Sequence, residues 1–297
     1  MNKQVKKVLK IVKKVLDKLG FFKRFNFNVK VKINGKTFKV PIIRGIGLNN
    51  IRITETWMVQ LFKQIFNFQN DGAFYDIGVN LGQTLIKLKS INPEIEYFGF
   101  EPNPICVFYT KELIKTNAFK KTILFPVGIS NRDAIYSLSL FFDDEADSSA
   151  SILDNFRPSQ TTFKKEFVAC FNSQSILEKY KLPKINILKI DVEGAEKDVL
   201  ESFENRIKQD KPFIIIEILP VYSEENIERL KRQNEIEALL GNIDYSIFRV
   251  HKTKNGDFNG LEEIQTIGIH SNLEWCDYLL VPNSEKIKFK NITYCEK

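Results

Sequence analysis

Phe74-Tyr75-Asp76-Ile77-Gly78-Val79-Asn80-Leu81-Gly82-Gln83-Thr84 reads as a buried strand that runs into a tight turn and then into a helix. Asp76 falls at the end of the strand. Gly78 and Gly82 carry no Cβ, so the backbone can bend sharply there and come close to a ligand. The new helix would aim unpaired N–H groups at whatever lies over the strand tip. Two readings fit: a nucleotide-type cofactor site, or a tight strand-to-helix connection. A dinucleotide loop would set Gly-x-Gly-x-x-Gly directly after the strand. Here an acid comes first and only two glycines follow. The ligand implied carries an amine or a sulfonium rather than two phosphates.

Working outward, strand and helix patterns alternate from residue 73 onward. Strands are predicted at 73–77, 96–101, 122–128, 185–191, 213–218, 243–250 and 277–282, and helices near 82–90, 104–116, 173–180, 195–209 and 223–240. Such alternation predicts an α/β fold with a mostly parallel sheet covered by helices on both faces. Apolar runs such as Phe213-Ile214-Ile215-Ile216 suit central strands buried on both sides. The last strand, Asp277–Pro282, returns after a short segment and reads as antiparallel. Residues 134–170 interrupt the pattern with two β-like segments around the polar stretch Asp143–Ser151, a β-rich insertion of the kind that builds specificity.

Ahead of this core, residues 27–42 alternate about Asn34-Gly35, the signature of a β-hairpin with a type I′ turn. A helix over 54–68 follows, with Thr54 as its cap. Residues 3–19 form a basic amphipathic helix pattern. It would pack on the body or a second subunit, or lie on an anionic membrane surface through residues 1–20. The division expected is 1–54 as lead-in and 55–297 as the main domain.

Charge sharpens the function class. Residues 1–44 hold 14 Lys/Arg and one acid, a net +13, whereas the other 253 residues hold 30 Lys/Arg and 36 Asp/Glu, a net −6. An acidic body argues against nucleic acid as a partner. The four cysteines are scattered, without a CxxC pair, and only two histidines are present, so a zinc cluster is not expected. Dispersed thiols fit a reducing cytoplasm. No run approaches the ~20 apolar residues of a membrane span, and Asn291-Ile292-Thr293 is taken as a chance sequon.

In an open α/β sheet, ligands bind beyond the carboxyl ends of the strands. Glu101, in Phe98-Gly99-Phe100-Glu101-Pro102-Asn103, stands at the next strand tip, where a carboxylate can accept both vicinal hydroxyls of a ribose. At the third tip, Ser130 or Asn131 can face an adenine edge, or the stretch is simply a turn. At the fourth, Lys189-Ile190-Asp191-Val192-Glu193-Gly194-Ala195-Glu196 crowds three acids. Strand alternation puts Lys189 and Asp191 on one face. Glu196 suits the positive end of a helix dipole; Asp191 and Glu193 sit at the mouth. Glu217, an acid in an apolar run, needs a partner such as Lys189 or serves the site.

Taken together, FYDIGVNLGQ (74–83), FEPNP (100–104), SSASIL (148–153), ILKIDVEGAEKDVL (187–200) and PFIIIE (212–217) resemble the FkbM family of S-adenosylmethionine-dependent methyltransferases. The likeness runs over about residues 55–250; Val79 departs from it, where the family usually has a small residue. It implies a class I methyltransferase Rossmann-like sheet and O-methylation, often of sugars or natural products. The cofactor set is then Asp76, Gly78, Asn80, Gly82, Glu101, Pro102, Asn103, Ser130 and Asp191. Ser148, Ser149 and Lys189 would meet the acceptor. A sugar hydroxyl must lose its proton as it attacks, and Asp191, Glu193, Glu217 and His251 are the candidates to take it, with His270 weaker. A divalent metal on Asp191 with Glu193 or Glu217 is a rival route; no metal is assigned. The expected acceptor is a sugar hydroxyl of a nucleotide-linked sugar or a bacterial capsular or surface-polysaccharide precursor. The alternatives are a small phosphorylated metabolite or natural product, or a non-catalytic membrane-surface binding protein. The expected location is the cytoplasm, peripheral to the inner membrane if residues 1–20 bind it, and a homo-oligomer is allowed.

Overall fold

Asn34 and Gly35 both take positive φ, 49° and 77°, the pair of left-handed residues that a type I′ turn requires. They join Asn26–Ile33 (β1) to Lys36–Ile43 (β2) in register, Ile33 opposite Lys36. These are the first elements of the computed structural model, which describes residues 24–68, 71–142, 146–153 and 160–292. The amphipathic pattern of residues 3–19 and the final residue of the sequon lie outside that set.

The hairpin buries Val31, Ile33, Phe38, Val40 and Ile42 in one cluster with Leu81, Tyr109 and Leu113. The helix after it, Thr56–Phe68 (α1), begins two residues later than the sequence suggests. Glu55 takes φ 52°, a left-handed turn that sets Thr54 outside the helix. Thr56 bonds instead to Gly256 O and Asp257 Oδ1.

The alternating core follows the expected order: Ala73–Ile77 (β3), Gln83–Ile91 (α2), Tyr97–Phe100 (β4), Pro104–Asn117 (α3) and Thr122–Phe125 (β5). The run predicted as one strand over 122–128 is broken. Pro126 has no N–H to give a ladder, and Gly128–Ile129 (β6) leaves the main sheet for a smaller one. There it pairs with Lys164–Phe171 (β8), which also pairs antiparallel with Ala134–Leu140 (β7). This is the β-rich insertion. Beyond it come Ser173–Tyr180 (α4), Ile185–Ile190 (β9), Glu196–Asp210 (α5), Phe213–Glu217 (β10), Ile227–Asn242 (α6), Tyr245–Lys252 (β11), Phe258–Ile264 (β12) and Asp277–Pro282 (β13).

The main sheet has eight strands in the order β12-β11-β13-β10-β9-β3-β4-β5. β10, β9, β3, β4 and β5 run parallel, and β13 is antiparallel to both β10 and β11. β12 was not expected. Asn255-Gly256 supplies its turn, with Gly256 at φ 81°, but Gly260 and the acidic pair Glu262-Glu263 obscure the strand pattern. Alternate residues of each central strand feed two cores, Tyr75, Leu188 and Ile214 on one face and Phe74, Ile187 and Phe213 on the other. The chain leaves β3 toward β4 and β5, then returns to β9 on the other side of β3. That reversal makes the tips of β3 and β9 the switch point where a ligand crevice opens.

Candidate active site

A cavity of about 320 Å³ lies over these tips. Ile77–Asn80, Phe100–Asn103, Lys189, Asp191–Glu193 and Glu217 line it from the main sheet. Thr54 and Glu55 close it from the lead-in, and Leu138, Asp147, Ser148, Ala150 and Ile152 from the insertion.

The strand tips are locked together at Gly78. Asp191 N donates to Ile77 O at 3.0 Å, and Gly78 N donates to Phe100 O at 3.0 Å. Gly78 has φ 87°, and a β-carbon there would sit 1.8 Å from Asp191 O. Only glycine lets the loop pass this close. Val79 is buried, and Gly99 makes its room: a β-carbon at Gly99 would meet Val79 Cγ2 at 2.7 Å. Gly82 does not line the cavity. It starts α2 at φ 74°, with Leu113 Cδ2 2.8 Å from where its β-carbon would be, so its role is helix packing.

Asn80 takes φ 49° and donates its N–H to Glu101 Oε2 at 2.7 Å. Glu101 Oε1 accepts from Asn103 N at 2.8 Å, while the Asn103 side chain caps α3 through Ile105 N. Burial pushes the Glu101 carboxyl up to about 7, against the pull of these two N–H groups. Each oxygen keeps a lone pair for a ligand hydroxyl.

Asp76 departs from its assigned place. It is fully buried and absent from the cavity wall. Tyr97 donates its hydroxyl to Asp76 Oδ2 at 2.7 Å, and the cation Asp76 faces is the protein's own Lys189, 3.6 Å from Oδ1. Burial raises the Asp76 carboxyl, and Lys189 and Tyr97 draw it back. Lys189 does reach the cavity and pairs with Asp191 at 3.0 Å, as their shared face requires. Burial works against the Lys189 charge, but Asp191 and Asp76 outweigh it and hold the ammonium above its ordinary range.

Glu217 therefore does not draw its counter-charge from Lys189. Burial, then the charges of Asp191, Asp277 and Glu193, push its carboxyl up to about 10, which leaves it a neutral acid on the wall it shares with Asp191. Next to it, burial raises Asp277 to about 6 despite its ion pair with Lys252. Glu193 and Gly194 both turn left-handed, φ 51° and 107°. The insertion reaches this turn through Ser151, whose hydroxyl donates to Glu193 O at 2.7 Å. Glu196 is structural, as its position suggested: its Oε1 accepts Gly194 N at 2.7 Å.

Of the insertion serines, Ser148 lies on the cavity wall, whereas Ser149 turns to Asp147 Oδ1 at 2.6 Å. Asp147 also accepts Phe141 N and Phe142 N; it shapes the loop, and in the sequence it is one acid within a polar stretch. Ser130 is buried against Tyr136 OH at 2.8 Å and does not line the cavity. His251 is likewise off the wall, paired with Glu262 at 2.8 Å on β11, beyond β13 and β10 from β9. Glu55, Cys106 and Cys170 are wall residues that no sequence pattern marked. Among the described residues no group of three or more His, Cys, Asp or Glu is arranged to hold a metal, and no helix is long and apolar enough to cross a membrane.

Residues 76–254 match the methyltransferase FkbM domain. The chain is 26% identical over 186 residues to the hexuronic acid methyltransferase AglP of Haloferax volcanii, spanning 61% of this chain and 72% of that protein. It is 24% identical over 151 residues to Methyltransferase 1 of Beauveria bassiana, spanning 46% of this chain and 61% of that one. The crystal structure of a methyltransferase FkbM from Methylobacillus flagellatus aligns with a TM-score of 0.44 at 15% identity, over 71% of this chain and 43% of its own.

Proposed function

The chain belongs to the FkbM methyltransferase family, and from that premise we propose that it uses S-adenosylmethionine to methylate a sugar hydroxyl. The acceptor in this reading is a nucleotide-linked sugar or a capsular or surface-polysaccharide precursor, met in the cytoplasm. The observation that carries it is one cavity walled both by Glu101 at the tip of β4, with backbone N–H groups on both carboxylate oxygens, and by Asp191 at the tip of β9. The similarity to a hexuronic acid methyltransferase supports the sugar acceptor.

When bound, S-adenosylmethionine supplies a methyl group already activated by its sulfonium, so the protein's part is alignment and proton handling. Glu101 would receive the ribose hydroxyls on its spare lone pairs, and Gly78 and Asn80 would bring backbone against the ligand. Ser148 faces the acceptor. Asp191, fixed by Lys189 and sharing the wall with the neutral Glu217, takes the proton from the attacking hydroxyl. Glu217, already protonated, is not the base.

The test is a panel of nucleotide-linked sugars, free sugars and phosphorylated metabolites incubated with S-adenosylmethionine. A mass gain of one methyl on a sugar, lost in Asp191→Asn, is expected. Methylation confined to acceptors without a sugar would overturn the acceptor assignment.

A further inference from the structure

Tyr97 has no part in the site described so far. It is fully buried on β4, its ring stacked 5.9 Å from Phe74. Yet its hydroxyl begins a continuous polar chain that crosses three strands. Tyr97 OH donates to Asp76 Oδ2 at 2.7 Å. Asp76 and Lys189 are register partners across β3 and β9, with Lys189 Nζ 3.6 Å from Asp76 Oδ1 and 3.0 Å from Asp191 Oδ2. Tyr97 and Asp76 lie buried away from the wall, Lys189 is almost wholly buried, and Asp191 is where the chain opens into the cavity.

We propose that Tyr97 is a positioning residue: its hydroxyl favours the carboxylate form of Asp76, and that carboxylate shares the Lys189 ammonium with Asp191, so that Asp191 does not face the cation alone. The proposal rests on the reading of Asp191 as proton acceptor.

The reasoning is electrostatic. A carboxylate that holds a buried ammonium alone is a poor base, because a close opposite charge favours its ionised form. A second anion divides that attraction. Asp76 is placed to be that anion, but full burial favours its neutral form. The Tyr97 hydrogen bond opposes this by favouring the carboxylate. Without the hydroxyl, Asp76 binds a proton more readily and releases Lys189, and the ammonium goes to Asp191 alone. The charged and titratable groups that interact with Asp191 are Lys189 on β9, Asp76 on β3, Glu101 beyond β4, Glu217 on β10, Asp277 on β13 and Glu196 after β9. Glu55 from the lead-in faces Lys189. The geometry therefore gives opposite signs to the two kinds of variant: loss of Tyr97 or Asp76 makes Asp191 a weaker base, and loss of Lys189 makes it a stronger one. A merely structural role for Tyr97 has no reason to produce that pattern.

The experiment follows the Asp191 carboxyl carbon by NMR through a pH titration of aspartate-labelled full-length protein, the resonance being assigned with Asp191→Asn. Tyr97→Phe keeps the packed ring and removes only the hydroxyl. It is expected to lower the Asp191 midpoint by about half a unit or more, as is Asp76→Asn, while Lys189→Met raises it by about one unit. Should Asp76→Asn fail to fold, the other two variants still give the opposed signs. A Tyr97→Phe midpoint that is unchanged or raised overturns the proposal. S-adenosylhomocysteine is titrated calorimetrically into the same samples. Failure of wild type to bind it would count against the methyltransferase reading and leave the NMR result readable.

Discussion

A β-carbon at Gly78 would lie 1.8 Å from the carbonyl oxygen of Asp191. The loop after β3 and the tip of β9 are thus in backbone contact. Gly78→Ala cannot relax without parting β3 from β9, and it also forces a side chain into φ 87°. We expect a loss of about 3 kcal/mol of stability, read as a lower urea midpoint at unchanged slope. A midpoint like that of wild type would show that the tips are not locked.

Among the described residues six carboxyls hold protons more tightly in the fold than in an unfolded chain: Glu101 and Glu196 at about 7, Asp277 at about 6, Glu217 at about 10, and Asp76 and Asp198, both raised chiefly by burial. Above the ordinary carboxylate range the unfolded chain has released these protons and the fold has not. Stability therefore falls as pH rises through that window. Thermal melts should show a lower Tm at about pH 9 than at about pH 5.

Glu217→Gln mimics the neutral acid and removes the carboxyl raised to about 10. Its Tm at about pH 9 should match or exceed that of wild type, with a flatter pH dependence. A variant that melts well below wild type at that pH would mean Glu217 is ionised in the fold. Turnover in Glu217→Gln should fall less than in Asp191→Asn, since the amide is neutral like the acid it replaces.

Ser151→Ala removes the hydroxyl that ties the insertion to Glu193 O. A hydrogen bond of this kind is worth about 1 kcal/mol. The insertion side of the cavity should loosen, raising the KM for the acceptor while S-adenosylhomocysteine affinity holds. Equal losses in both would place Ser151 with the cofactor.

The order of strands and helices was legible because each central strand is a short apolar run closed by a polar tip, and tips are where α/β ligands sit. That Glu101, Asp191 and Lys189 line the cavity could be read from position and strand alternation alone. Asp76 could not be read correctly, because the sequence shows a carboxylate at a tip but not that the cation it meets is Lys189 on the neighbouring strand. Ser130 and His251 satisfied the same positional rule, and nothing local distinguished them from wall residues; their partners, Tyr136 and Glu262, are set by pairings in the insertion and in the unexpected β12. Glu55 and Asp147 reach the cavity from outside the sheet, by a left-handed turn and a loop that the alternation of strands does not forecast.

The most direct test of the account is calorimetric titration of S-adenosylhomocysteine into wild type and Glu101→Gln. The amide can keep only one of the two backbone N–H bonds and loses the charge that ribose hydroxyls would meet. Wild type should bind one equivalent, more weakly as pH falls through about 7, and Glu101→Gln should bind about 100-fold more weakly with its fold intact. Equal affinity in the two proteins, or no binding by wild type, would contradict it.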